Sequence, residues 1–291
     1  MNNSKVLFLG FGYVAQFFCA KYVRDFAKIS ATYHQTKAKF IDAPNSVNLL
    51  NFDSLDFELL DGFESFVISI PPFYEKQTDA VIENYFQYFQ QRKSPFKIIY
   101  LSATSVYGDH NGKKVNEESI LLAKSVNGLA RISCEKKYQL LSDNVNANII
   151  ILRLAGIYGD QRNAILSILT NKITHNYKSS KLISRTHIAD IISIINKILT
   201  VNISNEIINI CDNDPCSTAD LNNFVCKNIL KIDLLPIFEG EKQYRHSSFA
   251  LDNKIIDNQK LKNLLNYEFI FPSYKDGLID IASKQGYFNE S

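Results

Sequence analysis

Short apolar runs alternate with helix-like stretches through the first half of this chain, and that alternation constrains the fold more than any other feature. The runs are rich in β-branched and aromatic residues, which is typical of buried strands. Strands are expected at 5–9, 28–33, 46–50, 65–70, 96–102 and 148–154, and helices at 13–27, 75–92 and 127–142. Strands that alternate with helices pair in parallel through right-handed crossovers. The first half therefore predicts an α/β fold with a doubly wound parallel sheet.

The alternation loosens after about residue 160. Further helices are expected near 164–173, at 187–200, at 254–265 and near 272–284, with a short strand at 206–210. The segment STAD, which begins at Ser217, is a capping-box pattern and predicts one more helix. With 46% hydrophobic residues in 291, the chain can bury a large core. We expect a first domain over 1–160 and a smaller C-terminal α/β lobe over 161–291, with 184–210 returning to the first domain.

The first expected strand runs into a glycine turn, LGFGYVA at 9–15. Gly10, Gly12 and Ala15 form the pattern G-x-G-x-x-A between a strand and a helix. In a Rossmann-type sheet these positions allow a tight turn, the approach of a pyrophosphate to the backbone, and close packing of the helix. The backbone N–H groups expected to face the phosphates are those of Phe11, Gly12, Tyr13 and Val14. The pattern predicts dinucleotide binding; the alternative is a glycine turn that binds nothing.

The end of the second strand indicates which dinucleotide is bound. An acidic residue there accepts a hydrogen bond from the ribose 2′-hydroxyl of NAD, but ATYHQTKAK at 31–39 has no carboxylate. It offers Thr32, His34, Lys37 and Lys39, a donor-rich set that suits the 2′-phosphate of NADP. We predict NADP, bound by His34 and Lys37, with NAD as the alternative cofactor. A solvated basic loop that binds no cofactor is the other interpretation.

Residues after three further strands complete the predicted cofactor site. Asp53 follows the third strand and could accept a hydrogen bond from the adenine amino group. Ile70 and Pro71 end the fourth strand, where the backbone would line the cofactor. Ser102, at the end of the fifth strand, would lie beside it.

Charge and cysteine usage exclude several classes of protein. The net charge is only +2 and the basic residues are spread along the chain, so no nucleic-acid partner is expected. The five cysteines include no CxxC pair and the histidines lack zinc-site spacing, which predicts a reduced, cytoplasmic protein without a metal. We expect no signal peptide and no membrane partner. The expected partner is a small-molecule substrate.

A cluster of hydroxyls, LSATSVYG at 101–108, ends the fifth expected strand. It either satisfies backbone groups at the strand end or lies beside a bound cofactor. Together with LGFGYVA, LRLAGIYG at 152–159 and SRTHIADI at 184–191, it resembles the short-chain dehydrogenase/reductase superfamily in its extended and atypical forms. The resemblance implies a Rossmann-type domain, a substrate lobe and an NAD(P)-dependent oxidoreductase or epimerase/dehydratase-like enzyme. Its substrate would be small and polar, or similar to a nucleotide sugar.

The resemblance also implies a catalytic Ser or Thr and a Tyr-x-x-x-Lys pair, and this chain departs from both. The usual hydroxyl position falls on Ala103, with Ser102 and Thr104 beside it. The Tyr position falls on Asn127 and the Lys position on Arg131. Asparagine cannot shuttle a proton, and arginine stays charged at any relevant pH. The implied proton relay is therefore degenerate.

The candidate catalytic residues are Thr104, Tyr107, Asn127 and Arg131. Tyr107 is the nearby phenol that could be recruited if it points at the nicotinamide, and Arg131 could hold a ribose or phosphate. The missing pair leaves a second function open, that of a catalytically inactive NAD(P)-binding sensor or assembly protein.

Arginines of the second half lie in segments that border the substrate cleft of the extended family. Arg162 and Arg185 are the candidate substrate ligands, because a guanidinium can bind a phosphate or carboxylate through two hydrogen bonds. Arg153 and His187 lie in the same segments, with a structural role as the alternative. The resemblance further implies a homodimer through 75–92 and 127–142. The residues there that suit a helix bundle, or equally a monomer core, are Tyr85, Phe86, Phe89 and Leu140.

Overall fold

The structure, a computed structural model, describes residues 2–34, 46–170, 181–233 and 252–288. Its strands are β1 (Asn2–Leu9), β2 (Phe26–Tyr33), β3 (Asn48–Asn51), β4 (Ser65–Ile68), β5 (Phe96–Ala103), β6 (Lys114–Val115), β7 (Ala147–Leu154), β8 (Gly156–Tyr158), β9 (Arg185–His187), β10 (Glu206–Ile210) and β11 (Ile255–Ile256). Its α-helices are α1 (Tyr13–Tyr22), α2 (Phe57–Asp61), α3 (Ala80–Gln91), α4 (Val126–Leu140), α5 (Ala164–Leu169), α6 (Ile188–Thr200), α7 (Thr218–Phe224), α8 (Gln259–Leu265) and α9 (Tyr274–Gln285).

Seven strands form one sheet in the order β10-β7-β5-β4-β1-β2-β3. The pairs β1–β2, β1–β4, β2–β3 and β4–β5 are all parallel. All four residues of β4 are buried, as expected for a central strand covered on both faces. These strands are parallel, so the loops after β1 and β4 leave the same edge of the sheet. The strand order reverses direction at β1, and ligands of such sheets bind at that point. The predicted doubly wound α/β fold is confirmed.

Two clusters of contacts divide the chain into compact units. Unit 1 comprises 1–106, 126–153 and 191–208, and unit 2 comprises 107–125, 154–190 and 209–291. The expected division lay at residue 160, whereas the chain first enters unit 2 at residue 107. The reason lies in strand pairing within unit 2, since β6 follows the hydroxyl cluster and pairs with the distant β11.

The core of unit 1 lies between the sheet and the helices α3 and α4. Tyr85 and Phe89 of α3 and Tyr138 of α4 are buried in it, together with alternate residues of the strands. Tyr85 and Phe89 are therefore core residues, in line with the monomer core that was one of their two alternatives. Leu140 is 56% exposed and Phe86 is partly buried. The homodimer itself stays a prediction.

Several helices are shorter than their sequence patterns predict. α1 ends at Tyr22 rather than 27, because Phe26 already pairs with β1. α3 begins at Ala80 rather than 75, because the Asp79 carboxylate caps it by accepting hydrogen bonds from the N–H groups of Val81 and Ile82. The helix expected over 254–265 is confined to α8, because its first residues form β11. The capping box at Ser217 is present as predicted.

Unit 2 contains two small parallel ladders, β8–β9 and β6–β11. The buried Asp190 carboxylate fixes the segment before α9, because it accepts hydrogen bonds from the Tyr267 hydroxyl and from the N–H groups of Ile270 and Phe271. All five cysteines are buried and unbridged. Among the described residues, no helix is long and apolar enough to cross a membrane.

Candidate functional site

The glycine turn after β1 has the geometry that its sequence predicts. Gly10 has φ of +103°, a conformation that L residues with a side chain rarely adopt. A Cβ there would lie 2.9 Å from Ser69 Oγ and 3.0 Å from Ile70 Cγ1, so neither backbone angle nor space permits another residue. The Gly10 N–H donates to Thr32 Oγ1 at 2.8 Å, and Ser69 Oγ donates to the Gly10 carbonyl at 2.8 Å. Neighbouring strands thus hold the turn on both sides.

The start of α1 is left open beside this turn. Gly12 is its N-cap and supplies no side-chain cap, and no atom lies within 4 Å of where a Gly12 Cβ would be. The first N–H groups of a helix have no partner within the helix, and the helix dipole favours an anion there. The side chains of Phe11 and Val14 are buried, so these residues present only backbone to that space. The turn therefore fits the pyrophosphate of a dinucleotide.

The end of β2 carries both signs of charge. His34 Nε2 lies 3.7 Å from Asp53 Oδ1, and the two side chains are 67% and 60% exposed. The carboxylate that the end of β2 lacks in sequence is thus supplied from the turn after β3. Lys37 and Lys39 lie outside the described residues. After β4, Ile70 is partly buried and Pro71 is exposed.

The hydroxyl cluster is tied to α4 and β7 by a buried network in unit 1. Ser102 Oγ donates to Glu135 Oε1 at 2.5 Å, and Arg153 Nη2 donates to Glu135 Oε2 at 2.8 Å. Both members of the ion pair are almost fully buried. The hydroxyl hydrogen of Ser102 is therefore engaged in the hydrogen bond to Glu135. Arg153 has the structural role that was the alternative to a place at the substrate cleft. Thr104 is also buried.

The positions of the family's Tyr and Lys hold different chemistry. Asn127 is partly buried at the start of α4, and Arg131 Nη1 donates to the Leu101 carbonyl at 3.0 Å. Tyr107, in unit 2, is fully buried and donates its hydroxyl hydrogen to Asn209 Oδ1 at 2.7 Å. Asn209 in turn donates to the Asp257 carbonyl at 3.1 Å. This placement disfavours Tyr107 as a recruited proton shuttle and makes it part of the framework of unit 2.

A cavity of about 300 Å³ in unit 2 contains both candidate substrate arginines. Its lining residues are Gly156, Ile157, Tyr158, Arg162, Asn163, Ala164, Ser167, Arg185, Thr218, Leu221, Asn222, Tyr274 and Leu278. Arg185 is oriented by its Nη1, which donates to the carbonyls of Ile183 and Cys216 at 2.9 and 3.0 Å. Arg162 is exposed at the same cavity. Two cations in one pocket are suited to an anionic group.

Two buried titratable groups lie near this cavity. His187 packs between the rings of Tyr158 and Phe271, at centroid distances of 5.0 and 4.2 Å, and burial lowers its pKa to about 4. It is therefore a neutral structural residue. Burial raises the pKa of Asp212 to about 8. Asp212 was missed at the sequence level, because nothing local marks it: its surroundings come from β9, far away in the chain.

The described ranges contain no group of three or more His, Cys, Asp or Glu residues that could hold a metal ion.

Solved structures are similar to nearly the whole chain. A functionally unknown conserved protein from Silicibacter pomeroyi DSS matches 97% of this chain and 99% of its own, with 25% identity and a TM-score of 0.86. UDP-glucuronic acid 4-epimerase from Bacillus cereus, in complex with UDP-glucuronic acid and NAD, matches 97% and 100%, with 20% identity and a TM-score of 0.74. dTDP-glucose 4,6-dehydratase from Bacillus anthracis, in complex with NAD, matches 99% and 97%, with 17% identity and a TM-score of 0.75.

No protein-family model matches this chain, and no curated protein matches it. The solved structures nevertheless include NAD-bound epimerases and dehydratases of the kind that the four sequence segments resemble. The likeness is one of fold: this chain has the Rossmann-type α/β fold of these solved structures.

Proposed function

We propose that this chain binds NAD(P) at its glycine turn and acts as an oxidoreductase or epimerase/dehydratase-like enzyme on a small anionic substrate. The observation that carries the proposal is the turn itself, where Gly10 has the required positive φ and the uncapped start of α1 faces open space at Gly12. Two structural neighbours with named activities were solved with NAD, which supports a nicotinamide dinucleotide here.

In unit 1, the chain's own residues would bind and orient the cofactor, which supplies hydride transfer when bound. The N–H groups that begin α1 would hold the pyrophosphate. Thr32 would keep the turn in register by accepting from the Gly10 N–H. Arg131 keeps a permanent charge and donates one hydrogen bond to the Leu101 carbonyl from Nη1, so its other N–H groups could hold a ribose hydroxyl or a phosphate.

In unit 2, Arg162 and Arg185 would bind the anionic part of the substrate in the cavity that they line. A diphosphate fits the proposal, because guanidinium groups bind phosphate oxygens through paired hydrogen bonds. The named neighbours act on UDP-glucuronic acid and dTDP-glucose, which supports a nucleotide-sugar-like substrate.

A second function competes with turnover, because the residues near the expected reaction centre offer no ready proton donor. Asn127 can donate and accept hydrogen bonds but has no proton to transfer, and Tyr107 is buried against Asn209. These two observations favour an NAD(P)-binding sensor or assembly protein that does not turn over. Thr104 and Arg131 remain the residues that would orient a substrate in an active enzyme.

We further propose NADP as the preferred cofactor, with His34 as a ligand of the 2′-phosphate. Asp53 bears on this choice, because its carboxylate lies beside His34 and would repel a phosphate while accepting from a 2′-hydroxyl. The preference therefore depends on whether the cations of the β2 end outweigh Asp53.

The test is a calorimetric titration of the purified chain with NADPH and with NADH, followed by incubation with UDP-glucuronic acid, UDP-glucose and dTDP-glucose in the presence of the oxidised cofactor, NADP⁺ or NAD⁺. We expect NADPH to bind with a dissociation constant of roughly micromolar order, which corresponds to a binding free energy of about −8 kcal/mol. We also expect conversion of at least one sugar nucleotide. Binding without any conversion would move the function to the sensor. Failure of both dinucleotides to bind would contradict the proposal as a whole.

A further inference from the structure

The Asp212 carboxyl is a buried acid in unit 2 without a matching partner. The residue is 3% exposed and lies two residues after the end of β10. Its Oδ1 accepts from the Asp214 N–H at 3.2 Å, whereas its buried Oδ2 has no hydrogen-bond partner among the described residues. Burying an unpaired carboxylate costs more than burying the neutral acid. The surroundings therefore favour a protonated Asp212, in line with the pKa of about 8 that burial gives it.

Asp212 lies against the backbone of a cavity arginine. Its N–H donates to the Arg185 carbonyl at 2.7 Å, and Cys216 and Ile183 exchange backbone hydrogen bonds next to this contact. The positive charge of Arg185 lowers the pKa of Asp212, in opposition to burial, so the two side chains interact electrostatically. A charge on Asp212 is thus felt at Arg185.

Arg185 has capacity for a ligand. Its side-chain hydrogen bonds to described residues all leave from Nη1, and one of these reaches Cys216 Sγ at 3.1 Å. In the part of the chain that the structure describes, its Nε and Nη2 have no hydrogen-bond partner and no carboxylate forms an ion pair with it. The cavity gives these free donors a place to bind an anion.

We propose that Asp212 is a charge switch for this anion site: as a neutral acid it leaves Arg185 uncompensated and able to bind an anion, and as a carboxylate it neutralises Arg185 and weakens binding. The inference rests on the proposed function in one respect, namely that Arg185 binds the substrate's anionic group. Two unit charges in a partly buried site interact strongly enough to change affinity about tenfold. Anion affinity should therefore fall as Asp212 loses its proton.

Other titratable groups near Asp212 do not produce the same effect. Besides Arg185, the groups that face it are Asp190, Asp214, Tyr158, Cys211 and Cys216. Burial raises the pKa of Tyr158 and of Cys211 far above neutrality and that of Cys216 to about 11, so these three stay neutral near pH 8.

The two neighbouring carboxylates already have partners. Asp214 lies 3.4 Å from Lys275 Nζ, and Asp190 accepts from Tyr267 Oη at 2.9 Å and from the backbone. His187, on the same strand as Arg185, is neutral in this range because burial lowers its pKa to about 4. Among the described groups that face Arg185, Asp212 is thus the one expected to change its charge between neutral and mildly alkaline pH.

The experiment measures the binding of inorganic sulfate, which does not itself titrate in this range, by calorimetry from about pH 6.5 to about pH 9.5. The full-length chain should lose about tenfold in affinity over this range. D212N should bind with the same affinity throughout, at the level of the native chain at low pH. D214N, a matched carboxylate on the same segment, should keep the native pH dependence, and R185Q should lose binding at every pH.

Two results would overturn the switch while leaving the anion site intact: native binding that does not change with pH, or D212N binding with the native pH dependence. Absence of sulfate binding at every pH would overturn both the switch and the anion site of the proposed function. A ligand-free readout checks Asp212 itself. Because its folded pKa is raised, thermal stability should fall as pH rises from about 4 to about 8 and level off above, and D212N should abolish that fall.

Discussion

Two glycines in the same turn constrain the molecule in different ways. Gly10 is fixed by its own conformation, since its φ of +103° and the nearby Ser69 and Ile70 exclude a Cβ. Gly12 has φ of −81°, which any residue adopts, and nothing surrounds its missing Cβ. Gly10 therefore contributes to the stability of the fold, whereas only a bound group would require Gly12.

Alanine substitutions should separate these two roles. Gly10→Ala should lower the free energy of unfolding by about 1–3 kcal/mol, because a strained φ is forced on a residue with a side chain. Gly12→Ala should leave stability unchanged within about 1 kcal/mol and reduce dinucleotide affinity, because its methyl group occupies the space for the pyrophosphate. Urea denaturation and NADPH titration of both variants check this. Unimpaired NADPH binding by Gly12→Ala would argue against a cofactor at the turn.

The choice between NADP and NAD should respond to Asp53. Asp53→Asn removes the negative charge beside His34 and should tighten NADPH binding several-fold, while NADH binding stays the same or weakens. Paired titrations with the two dinucleotides give the ratio. His34→Asp is the opposite change and should shift the preference towards NADH. If both variants leave the ratio unaltered, the adenosine ribose does not lie at this end of β2.

Sequence patterns reveal local requirements of a residue but not its distant partners. The glycine turn could be predicted because its strand, turn and helix lie within a few residues of one another. Ser102 and Tyr107 were assigned to the site from their neighbours in sequence. Their hydroxyls are used by Glu135, 33 residues away, and by Asn209, 102 residues away. Asp212 has no local pattern at all, since its burial depends on the packing of β9.

At the scale of elements, the network of Ser102, Glu135 and Arg153 ties β5, α4 and β7 together. The resemblance implies a Tyr and a Lys on this helix, at positions where the sequence has Asn127 and Arg131. The buried ion pair that holds α4 on the sheet involves neither of these two residues.

Replacing one partner of the Glu135–Arg153 ion pair should lower the free energy of unfolding strongly, whereas replacing both should cost less than the two single changes together. Arg153→Met leaves Glu135 buried without its cation and should lower the free energy of unfolding by about 3–5 kcal/mol. Replacing both partners, Arg153→Met with Glu135→Leu, should cost less than the sum of the single changes, since no unpaired charge stays buried. Chemical denaturation of the single and double variants completes the cycle. Additive costs would contradict a direct coupling between the two side chains.

At the scale of the whole molecule, neither unit is a continuous piece of chain. The chain passes from one unit to the other after residues 106, 125, 153, 190 and 208. The last segment of unit 1, residues 191–208, contains most of α6 and most of β10. β10 forms an edge of the seven-stranded sheet, next to β7. The side chains of Ile194, Ile195 and Ile198 on α6 are fully buried, and Lys97 Nζ donates to the carbonyl at the end of this helix.

A fragment of residues 1–160, the domain expected from the sequence, should therefore fail to fold on its own. It lacks β10 and α6, so the edge of β7 and the apolar surface that the three isoleucines cover would meet water, at about 25 cal/mol for each Å² exposed. The fragment should unfold without cooperativity and bind no dinucleotide, whereas the full chain unfolds in a sharp transition. Adding residues 186–210 through a Gly/Ser linker should restore cooperative unfolding, since it returns the missing helix and strand. Cooperative unfolding of the 1–160 fragment alone, with NADPH binding, would show that unit 1 folds without residues 191–208.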